Sequence, residues 1–111
     1  MTEAPVLDKF AALQRFDGDE QLWDEIVVLF LDDAPKQLEI LEQALESGNQ
    51  ELATRQAHSL KSAAANIGGE AMREAALCSE VAARDEGMEA AKAAYPTLKD
   101  SFLELERELR K

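Results

Sequence analysis

The sequence predicts an all-α protein, an antiparallel up-down four-helix bundle with one or two additional helices at its N-terminus. Strong helix formers such as Ala, Leu, Glu and Lys dominate the 111 residues, and only five Gly and three Pro interrupt them. Apolar residues recur at helical spacing along most of the chain. The connections between these segments are short, which makes neighbouring helices pack antiparallel. We expect one domain over residues 1–111, with the core bundle at about residues 33–110.

The first three predicted helices lie upstream of Gly48 and cover about residues 6–14, 19–31 and 33–47. Either aspartate of the Asp17-Gly18-Asp19 turn is suited to cap the second of these helices. The apolar run at residues 26–31 predicts that the same helix is buried on most faces. Because Pro is tolerated in a first helical turn, Pro35 predicts that a new helix, or a sharp bend, begins near Asp33.

Three more helices are predicted downstream, over about residues 50–66, 70–85 and 88–110. The first two of them end at glycines, the Gly68-Gly69 pair and Gly87, which are typical helix terminators. The last helix carries apolar residues in alternating steps of three and four, the spacing of a bundle seam, at Tyr95, Leu98, Phe102, Leu105 and Leu109. Pro96 falls inside this helix, so we expect a kink or a later start there.

The charge balance excludes two classes of partner. The chain has 23 Asp and Glu against 12 Lys and Arg, a formal net charge of −11. Nucleic acids and anionic membrane surfaces are bound through basic patches, which this composition does not favour. No apolar run approaches the roughly 20 residues that span a bilayer, and the N-terminus does not resemble a secretory signal. We therefore expect a cytoplasmic monomer that binds neither nucleic acid nor membranes.

The only histidine, His58, is the one chemical site that the sequence offers. At about 100° per residue, the apolar side chains of its helix form one stripe, and His58 lies roughly 175° from the centre of that stripe. Lys61 follows one turn later, within reach of any group attached to the imidazole. We expect a partner protein to bind this face, framed by the preceding helix. The candidate contact residues are Thr54, Arg55, Ser62 and Ala65.

The segment from His58 to Gly69 closely resembles the signature of histidine-containing phosphotransfer (HPt) domains. In that signature, His-x-Leu-Lys-Gly is followed by small residues and an apolar-Gly pair that ends the helix. Flanking segments also resemble the family, so that the resemblance covers about residues 16–87. One departure is Ser62, which replaces the usual Gly on the expected docking surface. The family often places a Gln or Glu 22 residues after the histidine to orient the imidazole, and that position is Glu80 here.

The resemblance implies that the chain is a phosphorelay carrier. His58 would accept a phosphoryl group from an aspartate of a receiver domain and pass it to an aspartate of another receiver. Neutral imidazole suits this role because the ordinary pKa of histidine is roughly 6.5. The family pattern implies attack through Nε2, with Lys61 offsetting the charge of the phosphate. Arg55 would assist with the phosphate or with docking, unless it is simply a solvated charge.

The same resemblance implies partners and cofactors. The partners would be receiver domains of response regulators or of hybrid sensor kinases. No nucleotide-binding fingerprint occurs, so we expect a phosphocarrier rather than an enzyme, with no ATP site and no cofactor of its own. The Mg²⁺ needed for transfer would lie in the partner receiver domain.

Three other interpretations remain open or are disfavoured. A di-iron bundle needs paired Glu-x-x-His ligands, but Arg55 occupies the required position before the single histidine. An interaction module that binds receivers or kinases without carrying phosphate is the main alternative. The chain would also look the same as an excised HPt domain of a larger sensor kinase, although its limits at Met1 and Lys111 favour a stand-alone carrier. The single cysteine, Cys78, lies among small apolar residues and is expected to fill a gap in the core.

Overall fold

The computed structural model describes residues 4–111, and the regular structure in that part of the chain is entirely helical. In chain order the elements are α1 (Lys9–Arg15), α2 (Glu20–Ser47), α3 (Gln50–Asn66), α4 (Glu70–Val81), a π-helical segment that we call the π-turn (Ala82–Glu86), and α5 (Met88–Leu109). Helices α2 to α5 form a ring in which α2 and α4 each pack against both α3 and α5. The predicted fold class, a four-helix bundle with an additional N-terminal helix, is confirmed.

Local signals place the ends of the helices. Three side-chain carboxylate or amide oxygens accept hydrogen bonds from the first turns of α1, α2 and α3, and they belong to Asp8, Asp19 and Asn49. Helix α2 ends at Gly48, whose φ of 74° lies in the left-handed region that glycine adopts at low cost. Because Gly48 ends α2 and Asn49 caps the next helix, α3 begins at Gln50 and spans the residues that the sequence predicts.

The two internal prolines interrupt the helices less than the sequence predicts. Helix α2 is continuous over 28 residues, so the prediction of a new helix near Asp33 is wrong. Pro35 removes one backbone donor from this helix. However, Ala34 and Leu38 on either side are buried in the core, and such packing overrides the local preference of a proline. Pro96 likewise lies inside α5, which begins where predicted and has no late start.

The core lies between the four long helices. Its largest fully buried side chains are Leu41, Leu60, Ile67, Met72, Leu98 and Leu105. The core also includes buried residues from the N-terminal part of the chain, among them Ala12 and Trp23. Phe30 packs against Phe102 with ring centroids 5.9 Å apart, which joins the N-terminal half of α2 to α5. Among the described residues, no helix has the length and apolar character that crossing a membrane requires.

The buried face of α4 does not include Cys78, contrary to our expectation. Helix α4 turns four residues inward, which are Met72, Ala76, Ser79 and Glu80. Cys78 falls outside this phase and is exposed, so the prediction that it fills a gap in the core is wrong. The apolar neighbours of Cys78 in the sequence do not indicate which face of α4 is buried. Leu77, directly beside Cys78, is itself 39% exposed.

The turn between α3 and α4 is covered by the segment that precedes α1. The amide of Asp8 donates to the carbonyl of Gly68 at 2.7 Å, and the amide of Ala71 donates to the carbonyl of Pro5 at 2.9 Å. Gly68 has a φ of +79°, and a Cβ at this position would lie 2.5 Å from the Asp8 carbonyl oxygen. The close approach of two backbones therefore requires glycine at this position.

Candidate functional site

His58 lies in the middle of α3 and points away from the core. Its side chain is 58% exposed, whereas Ala57, Leu60 and Ala64 on the inner face of the helix are buried. The outward direction agrees with the helical periodicity of the sequence. The alanines of the inner face are small and let neighbouring helices approach α3 closely. The imidazole is therefore held on a rigid, well-packed helix while remaining open to contact.

A single carboxylate, that of Glu80 on α4, contacts both His58 and Lys61. Glu80 Oε2 lies 2.9 Å from Nδ1 of His58, and Glu80 Oε1 lies 2.8 Å from Nζ of Lys61. The Glu80 side chain is only 9% exposed. The separation of 2.8 Å between the ammonium and Oε1 makes this contact an ion pair. These three side chains form the candidate site, which we call the His58 cluster.

The electrostatics of the cluster favour an ionised Glu80. Burial raises the pKa of the Glu80 carboxyl group. The contacts with Lys61 and His58 and their positive charges lower this pKa by more than burial raises it, so the pKa lies below its ordinary value. An ionised carboxylate can only accept a hydrogen bond. A neutral imidazole beside it therefore carries its proton on Nδ1, and the lone pair is on Nε2.

We expect Glu80→Gln to reduce the free energy of unfolding at pH 7 by about 1 kcal/mol, because the charged contacts of a nearly buried group are lost. The Glu80 pKa is lower in the folded state, so this stabilisation is present above the unfolded pKa of roughly 4.3 and disappears as the pH falls through the folded pKa. Urea denaturation at several pH values measures the difference. Glu74→Gln, at an exposed position of the same helix, is the control. A difference that stays constant from about pH 7 to about pH 3 would contradict the prediction.

Two of the predicted contact residues, Thr54 and Arg55, lie beside the cluster rather than in it. They line a cleft of about 480 Å³ together with Gln50 and Arg84. The Thr54 hydroxyl donates to the Gln50 carbonyl at 2.9 Å and is therefore used within its own helix. Arg55 is exposed, and its guanidinium is available at the edge of this cleft.

The other two predicted contact residues, Ser62 and Ala65, follow the histidine along α3. Ser62 is exposed and Ala65 is half-buried. The Ala65 carbonyl accepts a hydrogen bond from Nη1 of Arg15 at 3.1 Å, so α1 borders this end of the surface. Beyond them lies a small groove between α2 and α3, which includes Leu29 and Ala63. Leu29 is 61% exposed and Val28 is 66% exposed, so the prediction that the apolar run at residues 26–31 is buried on most faces is wrong. The outer face of α3 is thus framed by the preceding helix, as the sequence predicts.

Sequence reasoning did not identify Arg84 as a site residue. Arg84 lies on the π-turn, where its guanidinium binds the Asp85 carboxylate at 2.9 to 3.1 Å. The side-chain amide of Gln50 donates to the carbonyls of Ala83 and Arg84 at 2.8 and 3.2 Å, which fixes the widened turn against the start of α3. Hydrophobic periodicity does not predict a π-turn, and the only sequence signal was the resemblance of this segment to the family.

Comparison with known proteins gives one family and several similar structures. The model of the Hpt domain family matches residues 25–108. No curated protein matches the chain. The solved structures that it resembles include histidine-containing phosphotransfer protein B from Pseudomonas aeruginosa PAO1, with a TM-score of 0.87 and 22% identity over 96% of this chain and 93% of that chain.

Two further structures give the same result. The HPT domain from the Hpt sensor hybrid histidine kinase of Shewanella has a TM-score of 0.82 and 20% identity, covering 95% of this chain and 91% of that chain. The histidine-containing phosphotransfer protein ZmHP2 from maize has a TM-score of 0.82 and 20% identity, covering 99% of this chain and 84% of that chain. At these identities the three structures establish the fold.

Proposed function

Since this chain belongs to the Hpt domain family, whose members are phosphotransfer carriers of two-component systems rather than enzymes, we propose that it carries the phosphoryl group on His58. The observation that supports this residue is the contact between Nδ1 and the buried carboxylate of Glu80, on a side chain that remains 58% exposed. The carboxylate orients the ring and holds the proton on Nδ1. It thereby leaves Nε2 as the nucleophile.

The proposed step is a direct exchange of bonds at phosphorus. The lone pair of Nε2 attacks the phosphorus of a receiver's aspartyl phosphate, a P–N bond forms, and the P–O bond to the aspartate breaks. The aspartate leaves as a carboxylate, and the Nδ1 proton of His58 remains directed at Glu80. Transfer to the aspartate of a second receiver is the reverse of this step. Mg²⁺ in the receiver would polarise the phosphoryl group, so this chain needs no metal ion or ATP site of its own.

The proposed partners are receiver domains of response regulators or of hybrid sensor kinases. Hpt domains of two-component systems interact with receiver domains and histidine kinases. A receiver would bind the outer face of α3, where Ser62 is exposed and small, and the exposed Leu29 of α2 would add apolar contact. Such an encounter fits a cytoplasmic monomer that binds its partners transiently. The guanidinium groups of Arg55 and Arg84 lie at the edge of this surface.

We expect Lys61→Ala to slow phosphoryl transfer about tenfold, because a charge-assisted contact to the transferred group is worth roughly 1.5 kcal/mol or more. The phosphoryl group adds up to about two negative charges to a chain whose formal charge is already −11. Initial rates of label transfer measure the effect. Lys61→Arg, which keeps the positive charge, should recover part of the rate, and an unchanged rate in Lys61→Ala would contradict the role of Lys61.

A transfer assay tests the proposed function itself. The full chain is mixed with a receiver domain that carries labelled aspartyl phosphate, and a second receiver is added afterwards. We expect an acid-labile, alkali-stable label on the chain, as a phosphohistidine gives, and then movement of the label to the second receiver. Binding to the receiver without any label on the chain would instead favour an interaction module that carries no phosphate. The direction of transfer follows from which receiver loads the chain faster.

A further inference from the structure

The seam between α2 and α5 contains a groove that the phosphotransfer proposal does not use. The groove has a volume of about 480 Å³, and Leu38, Tyr95 and Phe102 form its apolar floor. In the ring of four helices, the contact between His58 and Glu80 joins α3 to α4. The groove therefore lies on the opposite side of the bundle from the His58 cluster. A molecule bound there leaves the imidazole accessible.

We propose that the groove between α2 and α5 binds a basic amphipathic helix of a partner protein. Three glutamates surround the apolar floor, Glu39 and Glu42 on α2 and Glu106 on α5, against one lysine, Lys99. Glu106 also pairs with Arg110, and the two glutamates of α2 are exposed. A helix with an apolar face and flanking Lys or Arg side chains complements both the floor and the rims.

The dimensions and apolar surface of the groove suit such a helix. The part of α5 that lines the groove extends from Tyr95 to Glu106, which is about 16 Å at 1.5 Å per residue, the length of three helical turns. Leu103 on this side is 42% exposed and offers apolar contact. Pro35 lines the α2 side of the groove, where its exposed ring adds further apolar surface.

The glutamates of α2 act electrostatically on the floor of the groove. The Tyr95 hydroxyl donates to the Leu38 carbonyl at 3.1 Å, which ties α5 to α2. Burial, and then the charges of Glu42 and Glu39, raise the pKa of Tyr95 to about 12. The phenol therefore stays neutral and keeps its hydrogen bond to the Leu38 carbonyl.

The test uses the full chain and a fluorescent 18-residue peptide of leucine and lysine, arranged as a basic amphipathic helix. We expect Glu39→Lys combined with Glu42→Lys to weaken binding about tenfold at roughly 0.15 M salt. The matched control is Glu74→Lys combined with Glu86→Lys, which changes the net charge equally at exposed positions of α4 and the π-turn. This control should change the affinity by less than about twofold.

A second pair of variants tests the apolar contact. Leu103→Gln should weaken binding, while Leu77→Gln, at an exposed leucine outside the groove, should not. Amide chemical-shift changes on adding the peptide should map to α2 and α5 and leave His58 unperturbed. Equal loss in both charge-reversed proteins, shifts centred on α3, or no binding to the unmodified chain would each overturn the proposal. None of these measurements involves phosphate, so the outcome is independent of the phosphotransfer assay.

Discussion

His58→Gln is expected to abolish acceptance of label from a phosphorylated receiver while leaving the bundle folded. The amide nitrogen of glutamine has no nucleophilic lone pair, so no P–N bond forms at this position. Glutamine can still donate a hydrogen bond to Glu80, and the side chain it replaces is 58% exposed. We therefore expect the free energy of unfolding to change by less than about 1 kcal/mol. Denaturation and the transfer assay, made on the same preparation, measure both effects.

Ser62→Gly is the matched control for this experiment. It changes an exposed residue one turn from His58 and introduces the residue that the family usually has there. We expect this variant to accept label at least as fast as the unmodified chain, because the approach to the imidazole becomes no narrower. Label that persists in His58→Gln at the rate of the unmodified chain would place the acceptor elsewhere and remove the central claim of the proposed function.

Gly68→Ala is expected to reduce the free energy of unfolding by about 3 kcal/mol. A left-handed φ of +79° costs a residue with a Cβ roughly 1–2 kcal/mol. The added Cβ would also lie 2.5 Å from the Asp8 carbonyl oxygen and 3.1 Å from the Ala12 Cβ. Backbone cannot move aside as a flexible side chain can, so the segment before α1 must shift and its hydrogen bond to the turn weakens. Urea denaturation measures the loss.

Gly48→Ala separates the cost of the left-handed φ from the cost of the steric contact made by the added Cβ. Gly48 has a nearly identical φ of +74°, but a Cβ there would meet nothing within 4 Å. We expect this variant to lose only the conformational part, about 1 kcal/mol. Equal losses in the two variants would show that the contact with the N-terminal segment contributes nothing, which would contradict the prediction for Gly68.

Local signals in the sequence predict the limits of α3 and the direction of its side chains well. The predicted limits of α3 match the structure because Asn49 caps the helix at one end and glycines stop it at the other. Both signals act within a few residues of the chain. The outward direction of His58 likewise follows from helical periodicity alone. These features need no knowledge of what packs against the helix.

Features that depend on distant contacts were predicted less well. Helix α2 continues through Pro35 because the residues around it are buried against other helices, and no local rule reports that burial. The burial of Glu80 arises in the same way, since only the packing of α4 on α3 turns an acidic side chain into a nearly enclosed one. The prediction that Glu80 orients the imidazole came from the family resemblance. The variants described above test the role of each site residue.

The N-terminal cover of the turn between α3 and α4 has a practical consequence for protein production. The family match begins at residue 25, whereas Pro5, Asp8 and Trp23 lie upstream of it. A fragment that begins at residue 25 would lack Pro5 and Asp8, whose backbones form hydrogen bonds with the turn, and it would lack the buried indole of Trp23. We expect such a fragment to express poorly or to melt at a lower temperature, although it retains every residue proposed to handle phosphate.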